Sequence, residues 1–251
     1  MIPNPIRKVL STFQKHQVRA LLMGGQACVL YGAAQFSKDI DFLVLADAEN
    51  LDRLRAALAE LQAERIAVPP FDPGHLARGH AVHFRCRHAD ADGLRVDVMT
   101  KLRGVTDFEA LWSRRFTLTA ERGEIFELLN IDDLVQAKKT QRDKDWPMVS
   151  LLVETHYFAF AAEPTPERIA FWLREARAPE RLIEIARRFP EECRRLSPER
   201  PLLSAALAGD LDGLRRELME EELRARQRDR EYWAPLKAEM ETFRRAERAQ
   251  E

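Results

Sequence analysis

Cysteine is scarce in this sequence, and the few cysteines present exclude two structural classes. Cys28, Cys86 and Cys193 are far apart in the 251-residue chain and form no Cys-x-x-Cys pair. Cysteine-based zinc sites need closely spaced pairs, and disulfide-stabilised domains are rich in cysteine for their length. We therefore expect three reduced thiols in a cytoplasmic protein, without a zinc site or a disulfide framework.

Long apolar runs and an excess of charge of one sign are also lacking. The first residues, MIPNPIRKVLSTF, contain no apolar segment typical of a signal peptide. No run approaches the roughly 20 apolar residues that cross a membrane, so no membrane partner is expected. The 40 basic and 41 acidic residues give a formal net charge of -1, which does not favour nucleic-acid binding. A hydrophobic content of 45% predicts a soluble globular protein with one large domain or two modest ones.

The first half of the chain alternates strand and helix patterns. Short apolar runs predict strands at 20–23 and 40–45, with a helix at 26–31 between them. Regularly spaced leucines predict a further helix at 48–64. The segment that follows, VPPFDPGHLARGH at 68–80, is rich in proline and glycine and predicts a loop.

Later strands complete the predicted sheet. The alternating segments AVHFRC and LRVDVMT predict a hairpin, since RHADADG between them has the composition of a turn. Two more short strands are predicted at 116–119 and 125–128. The order βαβαβββ predicts a mixed α/β (α+β) fold with antiparallel neighbours and flanking helices, and not a doubly wound parallel sheet.

The pattern changes at about residue 130. From 131 onward the sequence predicts helices separated by prolines, and no internal repeat or low-complexity linker is present. We therefore predict two domains, an α/β domain at 1–130 and an all-helical domain at 131–251. The final segment, 210–251, is dense in arginine and glutamate and predicts a long exposed helix suited to a coiled coil.

Two aspartates interrupt the second predicted strand. Asp39 and Asp41 stand two residues apart in the sequence DIDFLVL, so both side chains point to the same face of the strand. Their carboxylates repel each other unless a positive charge lies between them. Carboxylate oxygens are ligands that Mg²⁺ prefers, and the pair therefore predicts a divalent metal site.

Two further features support a metal site that also binds phosphate. Gly24 and Gly25 lie between a strand and a helix, where positive φ angles and a close approach of the backbone are available. A helix that begins there directs free N–H groups towards an anion. Asp97 in RVDVM lies on a strand expected beside the first aspartate strand. It would complete a two-metal site of the kind that promotes in-line phosphoryl displacement.

This combination resembles a known superfamily. Gly-Gly, an intervening helix, Asp-Ile-Asp and a later strand aspartate are similar to the shared pattern of nucleotidyltransferases of the DNA polymerase beta type. The resemblance implies that Asp39 and Asp41 bind Mg²⁺. It also implies that Asp97 binds a second metal ion and helps to deprotonate the attacking hydroxyl.

The same resemblance implies where the nucleotide binds. Gly24 and Gly25 would cradle the triphosphate of an NTP, and we include Gln26 and Lys38 as candidate contacts. Many members of the superfamily carry serine at the position of Gln26, so this chain departs from the common pattern there.

A second resemblance is narrower. The segment DDLVQAKKTQRDKDW is similar to one in the abortive-infection type and minimal nucleotidyltransferases, which include bacterial toxins. It implies that Lys138 or Lys139, together with Arg142, lies near the triphosphate, with Lys144 and Asp145 as an ordering pair. The two resemblances together cover about residues 20–150 of the chain.

Each of these features also has a purely structural interpretation. An isolated Asp39 is typical of a helix cap or a turn, and Asp97 can pair with Arg85 or Arg95 across the sheet. The basic run at 138–144 is typical of a solvated helix face. The combination of two glycines, paired aspartates and a third strand acid nevertheless favours the metal site.

Four histidines cluster in the predicted loop and hairpin. The spacing of His75, His80, His83 and His88 matches neither a helical zinc motif nor a zinc finger. We interpret them as surface or substrate-contact histidines.

The features together predict a magnesium-dependent nucleotidyltransferase. It would move a nucleoside monophosphate from an NTP to a hydroxyl and release pyrophosphate. The acceptor stays open among a protein side chain, an RNA end and a small molecule, although the balanced charge gives RNA no support. The alternative is a non-catalytic nucleotide- or partner-binding member of a toxin–antitoxin pair. Its C-terminal helix would then bind a protein partner or a second copy of the chain.

Overall fold

The computed structural model describes residues 3–120 and 123–249. Their contacts divide the chain into two compact units. The first comprises the described residues of Met1–Leu30, Ala34–Ala137 and Tyr232–Glu251, and the second comprises Tyr31–Ala33 and Lys138–Glu231. The predicted domains 1–130 and 131–251 stay a prediction.

A mixed sheet is the centre of the first unit. Within the described residues it has seven strands, in the spatial order β3-β4-β5-β2-β1-β7-β6. The strands are β1 (Ala20–Met23), β2 (Asp39–Val44), β3 (Glu64–Arg65), β4 (Val82–Arg85), β5 (Arg95–Met99), β6 (Phe116–Thr119) and β7 (Ile125–Leu128). β2 pairs in parallel with β5 and β1 with β7, whereas the remaining neighbours are antiparallel. The mixed α/β fold is therefore confirmed.

Helices precede, connect and follow these strands along the chain. They are α1 (Asn4–Lys15), α2 (Gly24–Leu30), α3 (Ala48–Glu60), α4 (Pro73–Arg78), α5 (Phe108–Ser113) and α6 (Ile131–Lys138), with a 3-10 turn at Ala89–Ala91. α1 packs its apolar side on the sheet, where the rings of Phe13 and Phe42 stack with their centroids 4.4 Å apart. Asp47 caps α3 because its side chain accepts a hydrogen bond from the backbone N–H of Asn50.

Two local predictions in this unit are wrong. The predicted loop 68–80 contains α4, which Asp72 caps at the start and Gly79 ends with a φ of 106°. The helix predicted at 48–64 ends at Glu60, since Gln62 has a left-handed φ of 49° that does not continue a helix.

The second unit is helical. Its helices are α7 (Asp145–Phe160), α8 (Pro166–Glu175), α9 (Pro179–Arg188), α10 (Pro190–Leu196), α11 (Leu203–Ala208) and the part of α12 (Leu211–Arg248) up to residue 231. Three of them begin with a proline, whose missing N–H is not needed in the first helical turn. Trp172 is fully buried in the core and donates from Nε1 to His156 Nδ1 over 2.9 Å.

The last part of α12 belongs to the first unit. Glu239 accepts hydrogen bonds there from His80 Nε2 at 2.7 Å and from Arg78 Nε at 3.3 Å. The ring of Phe243 packs edge-on against His75. His80 is only 3% exposed, so its interpretation as a surface histidine is wrong.

The three cysteines lie in the interior as free thiols. Cys28, Cys86 and Cys193 are all buried thiols, and burial raises the pKa of Cys86 and of Cys193 to about 11. In the part of the chain that the structure describes, no helix combines the length and apolar character needed to span a membrane.

Candidate functional site

Charged side chains form two rows across the middle strands of the sheet. In one row, His83 of β4, Asp97 of β5 and Asp41 of β2 are direct neighbours. Directly paired residues point to the same face of a sheet, so these side chains share one face. The row confirms that the Asp97 strand lies beside the strand of Asp39 and Asp41.

The second row lies two residues away on the same face. Arg85 of β4, Arg95 of β5 and Asp39 of β2 are paired in register. Residues two apart along a strand also share a face, so both rows belong to one charged surface. The two rows therefore bring three carboxylates, two guanidinium groups and one imidazole onto neighbouring strands.

Gly24 allows the backbone to approach the carboxylate of Asp41. A Cβ at position 24 would lie 1.9 Å from Asp41 Oδ2, and the φ of Gly24 is +69°. Both the space and the backbone conformation therefore require glycine. This contact fixes the turn between β1 and α2 against one of the predicted metal ligands.

Gly25 has a similar relation to Ser37. A Cβ at position 25 would lie 2.5 Å from Ser37 Oγ. The same hydroxyl is 3.0 Å from Asp39 Oδ1 and 3.0 Å from the backbone carbonyl oxygen of Asp39, and it donates to them. Ser37 therefore orients Asp39 while it packs against the second glycine.

Asp97 is a buried carboxylate with a two-fold contact to Arg95. Arg95 Nε donates to Asp97 Oδ1 and Arg95 Nη2 donates to Asp97 Oδ2, both over 2.7 Å. Burial raises the pKa of Asp97, but hydrogen bonds from His83 and Arg95 outweigh it and leave the pKa below its usual value. The carboxyl group is therefore ionised at neutral pH.

His83 contacts both members of this pair. Its Nδ1 lies 2.9 Å from Asp97 Oδ1 and 3.0 Å from Arg95 Nη2. A protonated Nδ1 donates to Asp97, whereas an unprotonated Nδ1 accepts from Arg95. The tautomer of His83 thus selects between the two hydrogen bonds.

Arg95 supplies positive charge to all three carboxylates. Its hydrogen bond to Asp97 raises the pKa of the guanidinium despite partial burial, and the charges of Asp39 and Asp41 add to the increase. The repulsion expected between the aspartates is therefore reduced by an arginine of the chain itself.

The donors fit one magnesium ion better than two. Asp39 and Asp41 supply hard oxygen ligands on one face, and one or two carboxylates plus substrate phosphates are the usual protein set for Mg²⁺. Both oxygens of Asp97 accept hydrogen bonds from Arg95, whose positive charge disfavours a second metal ion there. Among residues 3–120 and 123–249, no group of three or more His, Cys, Asp or Glu side chains is arranged to hold a metal ion.

The other predicted nucleotide contacts of the first unit have contrasting environments. Gln26 is 1% exposed, and its buried Nε2 has no hydrogen-bond partner. Lys38 is exposed and immediately precedes β2. Helix α2 begins at Gly24 and is seven residues long. The roles of both side chains in nucleotide binding stay predictions.

Lys138, Lys139 and Arg142 belong to the second unit, where each faces a carboxylate. Lys138 Nζ is 3.6 Å from Asp145 Oδ1, and Arg142 Nε is 2.7 Å from Asp145 Oδ2. Lys139 Nζ lies 2.5 Å from Glu175 Oε2. Asp145 therefore pairs with two of these three cations, and their predicted contacts with phosphate stay predictions.

Sequence reasoning missed Ser37 as the partner of Asp39 and the position of Arg95 along the strand of Asp97. Ser37 stands two residues before Asp39, a spacing at which a hydroxyl commonly contacts nearby backbone. Arg95 stands two residues before Asp97 on the same strand and thus on the same face. The structural interpretation of Asp97 included Arg95, but across the sheet and not along the strand.

Comparisons with known proteins add little to this geometry. Neither the protein-family models nor the curated proteins give a match to this chain. Among solved structures, the crystal structure of ANT(2")-Ia in complex with adenylyl-2"-tobramycin is similar at 11% identity and a TM-score of 0.34. That likeness covers 86% of this chain and 95% of the other. At this TM-score it supports no inference about fold or activity.

Proposed function

We propose that the chain is a magnesium-dependent nucleotidyltransferase, which moves a nucleoside monophosphate from an NTP to a hydroxyl acceptor. The observation that carries the proposal is the packing of Gly24 on Asp41, a carboxylate in register with Asp97 on the adjacent parallel strand. Stability alone disfavours three acids on one face, because their charges repel one another and Arg95 alone does not balance all three. A reaction on phosphate groups gives a reason to bring them together.

In this proposal Asp39 and Asp41 hold the metal. Mg²⁺ would supply positive charge to the phosphate oxygens and to the leaving pyrophosphate. Ser37 orients Asp39 through its hydroxyl, and Gly24 keeps the turn close to Asp41. These two contacts thereby fix the positions of both ligands.

Asp97 acts as the proton acceptor. The acceptor oxygen forms a bond to the α-phosphorus of the NTP, and the bond from that phosphorus to the bridging α–β oxygen breaks. Pyrophosphate leaves, and the hydroxyl proton passes to Asp97 and then to solvent. The lowered pKa keeps Asp97 ionised at neutral pH and makes it a weak base, so it takes the proton as the bond to phosphorus forms and the attacking oxygen becomes acidic.

The remaining nucleotide contacts follow the sequence prediction. Gly24, Gly25 and Gln26 would approach the triphosphate through their backbone, with Lys38 exposed beside them. The predicted triphosphate contacts of Lys138, Lys139 and Arg142, in the second unit, stay a sequence prediction. The acceptor is a protein side chain, an RNA end or a small molecule, and the fold does not distinguish among these three.

Calorimetric titration with ATP, GTP, CTP and UTP, each with and without Mg²⁺, tests the proposal. We expect magnesium-dependent binding of at least one NTP by the wild type. Asp41→Asn removes one ligand charge and should weaken that binding by about tenfold or more. Asp52→Asn is the matched control, because Asp52 is an exposed acid that pairs only weakly with Arg55 in α3.

The outcomes separate binding from turnover. Binding of no NTP by the wild type overturns the proposal, as does equal binding by the wild type and Asp41→Asn. Where an NTP binds, pyrophosphate release is measured against panels of proteins, RNA and hydroxylated small molecules. Asp97→Asn should abolish release and leave NTP binding within about threefold of the wild type, since Asp97 accepts the proton.

A further inference from the structure

The third acid of the site already has a cation. Arg95 and Asp97 form a fork-to-fork pair with two parallel N–H···O contacts of 2.7 Å. Such pairs are the strongest hydrogen-bonded ion pairs in proteins, because two donors are fixed by one planar group. The pair lies within a single strand, where Val96 and Val98 are buried and hold the backbone of β5.

A second metal ion on Asp97 would lie against the positive charge of Arg95, whereas a neutral hydroxyl can still approach the remaining lone pairs of the carboxylate. Mg²⁺ bound to Asp97 requires a carboxylate oxygen about 2.0–2.1 Å away and near-octahedral surroundings. Arg95 donates to both oxygens, and His83 Nδ1 lies 2.9 Å from one of them. In the described residues no three acidic, histidine or cysteine side chains are placed to share one ion.

Arg95 also lies where its positive charge offsets the negative charges of Asp39 and Asp41. Arg95 is paired in register with Asp39, and Asp97 is paired in register with Asp41. The guanidinium thus lies beside both predicted metal ligands while it binds the third acid.

We infer that the site takes one divalent ion, on Asp39 and Asp41, and that the Arg95 guanidinium is its second cation. This inference rests on the proposed function. Arg95 is a positioning residue: it neutralises Asp97 and holds the carboxylate in one orientation for the acceptor hydroxyl. The two-metal arrangement suggested by the sequence is replaced by one metal ion and one arginine.

Counting bound Mn²⁺ tests the inference without any nucleotide. Free Mn²⁺ is measured by electron paramagnetic resonance during a titration of the full chain. We expect one ion for each wild-type chain and two for Arg95→Met, because the substitution frees both oxygens of Asp97. Adding Asp97→Asn to Arg95→Met should return the number to one.

Arg85→Met is the matched control for net charge. Arg85 is the neighbour of Arg95 in the same row, so its removal takes one positive charge from the same face. This variant should still bind one ion. Two ions in Arg85→Met would attribute the change to charge alone and overturn the inference.

The wild type discriminates between the two proposals even where Arg95→Met fails to fold. Two ions in the wild type overturn the inference and leave the proposed function intact. No ion in the wild type overturns the inference alone, since the metal of the proposed function can enter with the nucleotide phosphates, and the NTP titration decides that function. One ion in a folded Arg95→Met, as judged by its circular dichroism, overturns the inference alone.

Discussion

Replacing Gly24 by alanine tests the most specific contact of the site. The new Cβ would lie 1.9 Å from Asp41 Oδ2, 2.5 Å from Cγ and 2.8 Å from Cβ of the same side chain. All three distances are below van der Waals contact, so the Asp41 side chain or the turn must move. The φ of +69° adds a backbone cost, since alanine is unfavourable in the left-handed region.

The two effects give the expected size of the change. A left-handed alanine costs roughly 1–2 kcal/mol. Overpacking of a tight site costs typically about 1–3 kcal/mol more. Gly24→Ala should therefore lower the free energy of unfolding by about 2–5 kcal/mol. Urea unfolding followed by circular dichroism measures this loss, and magnesium-dependent NTP binding should fall with it because Asp41 is displaced.

Gly93→Ala is a matched control within the same unit. Gly93 also has a left-handed φ, +75°, but no atom lies within 4 Å of the position of its Cβ. Its substitution should cost only about 1–2 kcal/mol, the backbone part of the Gly24 effect. If the two variants unfold with free energies within about 0.5 kcal/mol of each other, the close approach of Gly24 to Asp41 is refuted.

Three further predictions concern parts of the molecule away from Asp39, Asp41 and Asp97. Lys15 and other basic neighbours lower the pKa of Glu60 from 4.5 to about 2 by hydrogen bonding. The stabilisation is present above pH 4.5 and is lost as the pH falls towards 2, so Glu60→Gln should flatten the stability profile there. Burial lowers the pKa of His156 from 6.5 to about 4. The free energy of unfolding should therefore decrease as the pH is lowered from 6.5 to 4, and His156→Gln should abolish that decrease. Arg200→Met removes the paired donors of Glu221, which keeps Arg177, and leaves the buried carbonyl oxygens of Leu173 and Ala176 without a donor, so it should cost about 2–4 kcal/mol. Urea unfolding at a series of pH values measures all three.

Exposed ion pairs provide controls for these variants. Glu49→Gln, in an i,i+4 pair with Arg53, should leave the acid limb of the stability profile unchanged. Arg194→Met, in an exposed pair with Glu191, should change the free energy of unfolding by no more than about 0.5 kcal/mol. A Glu60 or His156 variant with the pH profile of the wild type would contradict the corresponding assignment, and so would an Arg200→Met as stable as Arg194→Met.

The elements of the sheet follow from local sequence, with one instructive exception. Strands such as 20–23 and 125–128 are predictable because short apolar runs bounded by turn residues have few alternatives. Helix α4 was predictable as well, since Asp72 and Pro73 are typical first residues of a helix and Gly79 is a typical end. The abundance of proline and glycine obscured that signal.

The candidate site was only partly predictable. The spacing of Asp39 and Asp41 determines that they share a face, and apolar flanks determine that Asp97 is in a strand. The partner of Asp97 is not determined by strand patterns, because a flexible arginine side chain reaches several neighbours. Only the packed structure distinguishes Arg95 along the strand from Arg85 across it.

The contact between the final helix and the histidines of 75–80 was beyond sequence reasoning. The final helix is rich in arginine and glutamate, and this composition predicts that it is exposed to solvent. Glu239 nevertheless bonds to His80, from which it is separated by 159 residues. A histidine in a loop and a glutamate in a charged helix carry no local mark of such a pairing.

The contact between His80 and Glu239 has a consequence for synthesis on the ribosome. The 159 residues that separate the two partners take about 8 to 32 s to translate at typical rates. During that interval the strands on either side of His80 are complete, while His75 and His80 lack their glutamate and the ring of Phe243. The first unit, which contains Asp39, Asp41 and Asp97, therefore finishes folding late. A nascent chain halted before residue 239 should expose His75 and His80 to chaperones and proteases.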